Sequence, residues 1–276
     1  MTRKLKSKLT AVLLLALLAP NLVWAVDYTA DANCQGAWLF TEGSGITVAD
    51  DSQNSNTGNF VSSGHPAWAA MSGTNAPTYA DYMADFTPND YIGCGVTNLP
   101  SPRSGDDVSL TTWVDRDATG TEHKLLARWD DNSAGSGKYS FLLGVTSGNL
   151  AQIAISKADK NGIYVKAGTS TITSGSWWFI CGTWNKTSVE IFVNGVSEGT
   201  SSTGGGSDSG SDSAECTLGC GANLPLQRNG FLDGKMFESS VFDRVLDSTE
   251  INDIMDNGLA GAAPPAGFPQ IIINIL

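Results

Sequence analysis

Short β-rich segments separated by turn residues run through most of this chain, and they constrain its fold more than any other feature. The segment NLAQIAISK, residues Asn149–Lys157, alternates apolar and polar residues with a period of two, as a half-buried strand does. A second β-rich segment precedes it across Ser147 and Gly148, and Asn194-Gly195 is a dipeptide favoured in tight hairpins. This density of short strands predicts an all-β sandwich or barrel. The predicted strands are Gly36–Thr41, Tyr91–Cys94, Val108–Arg116, His123–Trp129, Tyr139–Val145, Leu150–Ser156, Ile163–Ala167, Trp177–Trp184, Ser188–Val193 and Lys235–Phe242.

One short helix is predicted near the C-terminus. Asp247 is a good N-cap, and Glu250 three residues later completes a capping-box pattern. Gly258 fits the position just after the last helical residue. The apolar face of the helix consists of Ile251, Ile254 and Met255. A helix of this length is marginal alone, so we expect it to dock on the sandwich.

The strand before that helix has no clean amphipathic pattern, which predicts a strand in the middle of a sheet. Strict alternation would place Phe237 and Ser239 on one face and Glu238 and Ser240 on the other.

The two ends of the chain are predicted to lie outside the folded domain. Residues 1–25 have a basic start, a short apolar stretch and a V-x-A cleavage pattern, which together predict a secretory signal peptide. The alternative is an uncleaved membrane anchor. Residues 26–260 then form one sandwich domain, and residues 261–276 form a tail ending in IIINIL. That end is expected either to add a strand to a sheet edge or to fray.

Charge and cysteine content narrow the partners and the compartment. The formal net charge of −12 at pH 7 disfavours binding to a polyanion such as nucleic acid. A secreted chain permits disulfides. The cysteines are Cys34, Cys94, Cys181, Cys216 and Cys220. Because their number is odd, at least one thiol stays free or pairs between chains, and the spacing leaves the pairing open.

Four blocks in order carry a family resemblance. They are GAWLFTEGSGITVADDSQNSNTG (Gly36–Gly58), VSLTTWVDRD (Val108–Asp117), GSWWFICGTWNKTSVEIFVNGV (Gly175–Val196) and DGKMFESSVFDRVLDSTEI (Asp233–Ile251). Together they resemble laminin-G-like domains of the concanavalin A-like lectin/glucanase superfamily. The resemblance implies a two-sheet antiparallel jelly-roll sandwich whose first and last strands are neighbours. It also implies buried positions for Trp38, Trp113 and Trp177.

The resemblance also implies a calcium site, because laminin-G-like relatives often bind calcium. Ca²⁺ takes six to eight oxygen ligands from carboxylates, amides and carbonyls. With the first and last strands side by side, Glu42, Asp51, Asn56 and Glu238 are expected to converge as ligands. The alternative is an Asx-rich turn whose side chains cap its own backbone. A weaker second candidate is the acidic loop that contains Asp208, Asp212 and Glu215.

A carbohydrate site usually needs exposed aromatic rings beside polar side chains. Trp129, with Asp130 and Asn132 next to it at a strand end, is the predicted ligand-binding group. The alternative is an ordinary hairpin with a partly buried tryptophan. Trp68 and Tyr164 also have no core position in the resemblance.

Catalytic motifs are weak. The E-x-D-x-(x)-E strand of concanavalin-like glucanases does not occur. Asp115 and Asp117 share one face, but they lie at the end of a predicted strand, which favours an ordinary strand-end turn. The G-x-S-x-G run at residues 195–199 follows a hairpin turn, whereas a nucleophile elbow needs a strand-to-helix turn.

The sequence therefore predicts a secreted, non-catalytic module that binds carbohydrate or a cell-surface or matrix partner. Oligomers are compatible with it. Two alternatives stay open: a structural or assembly protein that uses the sandwich as a scaffold, and a glycoside hydrolase with an unrecognised carboxylate pair.

Overall fold

Two eight-stranded antiparallel sheets form the protein, as predicted. The computed structural model describes residues 26–61, 66–95, 99–100, 106–129, 140–156, 163–202, 214–223 and 227–261. The first sheet, sheet A, contains β1 (Cys34–Trp38), β4 (Ala67–Ala70), β5 (Tyr82–Phe86), β7 (Val108–Arg116), β12 (Trp178–Trp184), β13 (Ser188–Val193), β14 (Val196–Ser202) and β18 (Gly234–Phe242). The second, sheet B, contains β2 (Thr47–Val48), β3 (Gly58–Val61), β6 (Tyr91–Gly93), β8 (His123–Arg128), β9 (Phe141–Val145), β10 (Leu150–Ser156), β11 (Ile163–Thr171) and β15 (Cys216–Leu218).

Three smaller elements complete the described chain. A 3-10 turn spans Tyr28–Ala30, and a two-stranded ribbon joins β16 (Gly221–Asn223) to β17 (Gln227–Asn229). Helix α1 spans Ser248–Asn257. No helix within the described ranges is long and apolar enough to cross a membrane. The predicted signal peptide and most of the predicted tail, residues 262–276, lie outside the described residues.

Sheet A runs in the order β14-β13-β12-β7-β18-β5-β4, and β1 also pairs with β18. The first and last strands are therefore neighbours, as the resemblance implied, with Trp38 opposite Ser239. Because β7 and β18 lie in the middle of the sheet, every residue of β7 is buried. Trp38 and Trp177 are also buried, which confirms their predicted core positions.

Helix α1 forms where the sequence predicted it. The Asp247 side chain accepts from the backbone N–H groups of Thr249 and Glu250, and Glu250 returns a bond to the Asp247 N–H. This capping box satisfies amide groups that the first helical turn leaves free. Ile251 and Ile254 are buried, so the helix packs its apolar face on the sandwich.

Two local predictions are wrong. The low-complexity run Gly199–Ser213 is typical of a long surface loop, but Gly199 to Ser202 finish strand β14, and residues 203–213 lie outside the described residues. Strict alternation along β18 also fails, because the register shifts between Phe237 and Ser239. Phe237 lies opposite Trp113 and Ser239 lies opposite Thr112, so Glu238 is the extra residue of a β-bulge.

Candidate functional site: two clefts beside Tyr79

Glu238 has the least usual backbone in the central strands. Its φ is 39°, in the left-handed region that non-glycine residues seldom adopt. Backbone strain of this kind persists only where the surrounding structure fixes it, and it is often found at functional sites. The bulge therefore marks this part of β18 as a place to look for a site.

The carboxyl group of Glu238 is buried but fully hydrogen-bonded. The residue is 4 % exposed. Its Oε1 accepts from the Leu259 N–H at 2.9 Å, and its Oε2 accepts from the Tyr79 hydroxyl at 3.1 Å. Burial raises the pKa of Glu238 to about 7, although both hydrogen bonds oppose the rise. The group therefore changes charge near neutral pH.

Tyr79 connects Glu238 to the tryptophan on the neighbouring strand. Trp113 Nε1 donates to the Tyr79 hydroxyl at 3.0 Å, and the Tyr79 ring lies 5.9 Å from the ring of Phe237. Burial, and then the charge of Glu238, raise the pKa of Tyr79, so the phenol stays protonated. A Cβ on Gly258 would lie 2.7 Å from the Tyr79 ring, so only glycine allows this close approach.

An open cleft of about 260 Å³ lies on one side of Tyr79, and we call it the tryptophan cleft. Trp113, which is 7 % exposed, and the fully buried Trp177 lie at its base, and its rim is mostly polar. The lining residues are Asn75, Ala76, Pro77, Thr78, Tyr79, Trp113, Trp177, Asn194, Met255 and Asp256.

Three parts of the chain position this cleft. Trp177 is held by the loop before β5, since its Nε1 donates to the Ser72 carbonyl at 2.7 Å. Asn194, in the β13–β14 turn, accepts from the Phe179 N–H at 2.9 Å and has a φ of 47°. The last turn of α1 contributes Met255 and Asp256.

The electrostatics of the tryptophan cleft are negative. Asp256 is exposed, and its charge contributes to the raised pKa of Tyr79. The C-terminal end of a helix also carries partial negative charge on its free carbonyl groups. None of the described residues that line the cleft is Lys, Arg or His. The cleft therefore favours ligand groups that donate hydrogen bonds over anionic groups.

A second cleft, of about 250 Å³, lies on the other side of Tyr79, and we call it the glutamate cleft. It contains the carboxyl groups of Asp81 and Glu238 beside aromatic side chains. The lining residues are Leu39, Phe40, Thr41, Tyr79, Ala80, Asp81, Phe237, Glu238, Asn257, Gly258, Ala260 and Gly261.

The predicted calcium ligands are engaged in other contacts. Glu42 Oε1 accepts from the Ala49 N–H at 2.6 Å, and Asn56 Nδ2 donates to the Gln35 carbonyl at 2.9 Å. Glu42 lies close enough to raise the pKa of Asp51, after the larger effect of burial. In Glu238, Oε1 accepts from the Leu259 N–H and Oε2 accepts from the Tyr79 hydroxyl.

The residue that organises this loop is Asp50, which the prediction did not include. Its Oδ1 accepts from the N–H groups of Ala37 and Ser52, and its Oδ2 accepts from the Asn56 N–H. This is the self-capping turn that was the alternative to calcium. Within the described residues, no group of three or more His, Cys, Asp or Glu side chains is placed to hold a metal. The predicted donors thus do not form one cluster in the described part of the chain, and calcium binding stays a prediction. Of the second candidate loop, Asp208 and Asp212 lie outside the described residues.

The predicted sugar-stacking residue has no exposed ring face. Trp129 is 5 % exposed and packs in a small cluster with Ala127, Leu142 and Ala154. This corrects the expectation of an exposed platform, because stacking needs a free face. Asp130 and Asn132 lie outside the described residues. Two other aromatic residues without a predicted position, Trp68 and Tyr164, stack on Phe60 and Trp184 respectively.

The catalytic candidates of the sequence have structural roles in the described part of the chain. Asp117 pairs with Lys235 at 2.6 Å, and Asp115 lies opposite Lys235 in the β7–β18 ladder. Ser197 lies on β14 and donates to Glu190, as a hairpin residue rather than a nucleophile elbow. The sequence has two histidines that could serve as a base. His65 lies outside the described residues, and His123 is buried, where its Nδ1 accepts from Arg116 Nε at 3.1 Å.

Comparisons with known proteins agree with this architecture. Residues 87–252 match a family model described as the concanavalin A-like lectin/glucanases superfamily. A search of curated proteins returned no match.

Among solved structures, the chain is similar to domain 4 of an extracellular GH43 arabinanase from Geobacillus stearothermophilus, in complex with arabinotriose. The identity is 15 %, the TM-score is 0.53, and the match covers 81 % of this chain and 98 % of that one.

It is also similar to the binding domain of Paraclostridial Mosquitocidal Protein 1. The identity is 12 %, the TM-score is 0.54, and the match covers 81 % of this chain and 52 % of that one. A third similar structure is the binding domain of botulinum neurotoxin DC in complex with SialylT. The identity is 13 %, the TM-score is 0.54, and the match covers 82 % of this chain and 51 % of that one. The chain thus spans about half the length of these toxin domains. At these identities the likeness shows the fold.

Proposed function

Because the chain belongs to the concanavalin A-like lectin/glucanases superfamily, we propose that it is a secreted, non-catalytic carbohydrate-binding module whose ligand occupies the tryptophan cleft. Secretion follows from the predicted signal peptide. The observation that carries the proposal is the composition of the cleft, in which apolar side chains lie beside a rim of amide, hydroxyl and carboxylate groups.

This composition suits a sugar ring. A pyranose or furanose ring presents an apolar C–H face and an edge of hydroxyl groups. Trp113, which is 7 % exposed, and the half-buried Ala76 and Met255 supply the apolar contact for the face. Asn75, Asn194 and Asp256 lie where hydroxyl groups can be bonded. The volume is just below the range of about 300–1,000 Å³ typical of ligand pockets, so it suits one sugar ring of a longer glycan.

The charge of the cleft selects among glycans. Sugar hydroxyls can donate hydrogen bonds to the Asp256 carboxylate, whereas a sialic or uronic acid would bring a second negative charge beside it. With no cationic side chain among the described lining residues, nothing there compensates such a charge. The ligand we propose is therefore a neutral glycan.

The solved structures support the class of ligand without identifying it. The arabinanase domain is described in complex with arabinotriose and the toxin domain with SialylT. Both are carbohydrate ligands of those proteins, and the match covers 98 % of the arabinanase domain and 51 % of the toxin chain. A fold hosts many functions, so the proposal rests on the cleft of this chain.

A glycan array tests the proposal. Wild-type protein is compared with an Asn75→Ala, Asp256→Ala double variant, which removes two rim groups, and with Glu122→Gln, which changes an exposed carboxylate just before β8, as the control. We expect wild type and control to bind the same neutral glycans and the double variant to lose at least tenfold in affinity. If wild type binds no glycan, the proposed function is wrong and an assembly role or protein partner takes its place.

A further inference from the structure

Two buried cysteines face each other across sheet B. All five cysteines are buried thiols in this structure. Strand β15 pairs with β6 so that Thr217 lies opposite Gly93 and Leu218 opposite Ile92. Continuing this antiparallel register by one step brings Cys216 beside Cys94: the Cys94 N–H donates to the Cys216 carbonyl at 2.8 Å, and the Cys216 N–H donates to the Gly95 carbonyl at 2.8 Å.

The side chains of this pair point to the same side of the sheet. Side chains two residues apart share a face, so Cys94 shares the face of Ile92 and Cys216 shares the face of Leu218. Ile92 and Leu218 are fully buried partners in the main core. A Cβ added to Gly58 on β3 would lie 3.4 Å from Cys94 Sγ, which places that thiol inside the sandwich.

The spacing of the pair suits a covalent bond. Opposite residues of antiparallel strands have Cα atoms about 4.5–5.5 Å apart. Disulfides accept Cα separations of about 4.4–6.8 Å. From this register, shared face and spacing we propose that Cys94 and Cys216 form a disulfide that joins β6 to β15.

The remaining cysteines have no comparable partner among the described residues. Cys34 lies on β1 and Cys181 on β12, both in the other sheet. Cys220 lies two residues beyond the end of β15, close enough that it and Cys216 both raise the pKa of Cys94, after the larger effect of burial. The competing pairs are therefore Cys94 with Cys220 and Cys216 with Cys220.

The bond forms by thiol–disulfide exchange with an oxidant of the disulfide class, such as oxidised glutathione or a disulfide oxidoreductase. One thiolate attacks the oxidant and releases one of its sulfurs as a thiol. The second thiolate then attacks the mixed disulfide and releases the other sulfur. The chain loses two protons and two electrons, and the oxidant is reduced to two thiols.

Burial determines when this exchange can occur. Burial raises the pKa of Cys216 to about 12 and that of Cys94 well above its ordinary value. Because the thiolate is the reactive form, the folded, reduced protein oxidises slowly. The bridge therefore forms during folding in an oxidising compartment, and its burial then protects it from reductants.

The experiment is oxidative refolding followed by peptide mapping. Full-length protein without residues 1–25 is unfolded in guanidinium, refolded with a mixture of oxidised and reduced glutathione, alkylated, and digested without reduction. We expect a peptide pair linking Cys94 to Cys216. Protein refolded with a reductant, which keeps both thiols reduced, should have a Tm about 10 °C below that of the oxidised protein, because the bridge closes a long loop.

The matched variants are Cys94→Ser with Cys216→Ser, against Cys34→Ser with Cys181→Ser as the control pair. In the Cys94→Ser, Cys216→Ser variant, reductant should no longer change the Tm. In the Cys34→Ser, Cys181→Ser variant, reductant should lower the Tm as it does in wild type. If the first pair fails to fold, the wild-type peptide map still decides. A map with five free thiols, or one that links Cys220 to Cys94 or Cys216, overturns the proposal.

Discussion

The hydroxyl of Tyr79 donates a hydrogen bond to Glu238 at 3.1 Å while accepting one from Trp113 Nε1 at 3.0 Å. This relationship connects the floor of the tryptophan cleft to a buried acid on a strained bulge. It also makes the stability of the site depend on pH.

The first prediction concerns that acid. Burial raises the pKa of Glu238 from 4.5 to about 7, so the folded state holds a proton that the unfolded state has already lost. The contribution of Glu238 to the free energy of unfolding is fully present below pH 4.5 and is lost as the pH rises through 7. His123 has its pKa lowered from 6.5 to about 4, by burial and then Arg116, so its contribution rises with pH over that range. The two effects overlap below pH 6.5.

Between pH 6.5 and 8 the fall from Glu238 exceeds the rise from His123, because only the last part of the His123 titration remains there. We expect the contribution of Glu238 to the free energy of unfolding to fall there by about 1 kcal/mol. Urea unfolding at several pH values measures it. Glu238→Gln cannot ionise and should flatten the slope in this window, whereas Glu122→Gln should not change it. An equal slope in wild type and Glu238→Gln would show that Glu238 is not the titrating group.

The second prediction concerns the hydroxyl of Tyr79. In Tyr79→Phe, Trp113 Nε1 and Glu238 Oε2 both lose a partner while buried, so we expect a loss of about 1–3 kcal/mol in stability. The pKa of Glu238 should also rise further, because this hydrogen bond lowers it. Tyr82→Phe is the control, since Tyr82 is 39 % exposed and should change stability by less than about 0.5 kcal/mol. Equal effects of the two substitutions in chemical unfolding would contradict the buried network.

The third prediction concerns ligand charge. Neutral glycans should bind at least tenfold more tightly than the same glycans carrying a terminal sialic or uronic acid, because Asp256 and the end of α1 make the cleft negative. Titration calorimetry with matched pairs measures the ratio. Asp256→Asn should reduce the discrimination and keep binding to the neutral member. Tighter binding of the acidic glycan in each pair would show that the negative charge of the cleft does not set selectivity, even if the protein still binds glycans.

The fourth prediction tests calcium, which the structure leaves as a sequence hypothesis. A site at Glu42 and Asp51 predicts that Ca²⁺ at a hundredfold excess over its Kd stabilises the fold by about 2.7 kcal/mol. Asp51→Asn should abolish the shift, and Asp233→Asn should not. Melting curves with and without chelator give the answer, and identical curves would end the hypothesis.

The sequence predicted the fold well where local patterns carry it. Val108–Arg116, Leu150–Ser156 and Ser188–Val193 have the bounds predicted for them, because β-branched and aromatic runs end at turn residues. The helix matches as well, since Asp247 and Glu250 form its capping box within four residues. Very short strands such as Thr47–Val48 were missed because two residues carry no periodicity.

The site was harder to predict because it depends on contacts distant in sequence. Glu238 was singled out as a metal ligand, but the bulge that buries it becomes visible only from its register against β7. Tyr79, in the loop before β5, carries no pattern of its own, and its importance lies in bonds to residues 34 and 159 positions away. Trp129 had the right chemistry for stacking, but only packing reveals that its ring is covered.

The most direct test of the account is to follow the tryptophan indole N–H signals by NMR as a neutral glycan identified on the array is added. If the tryptophan cleft is the site, the Trp113 and Trp177 signals should shift with the same Kd as calorimetry gives, and those of Trp38 and Trp184 should stay in place. Binding that leaves Trp113 and Trp177 unmoved, or shifts confined to residues of sheet B, would contradict it.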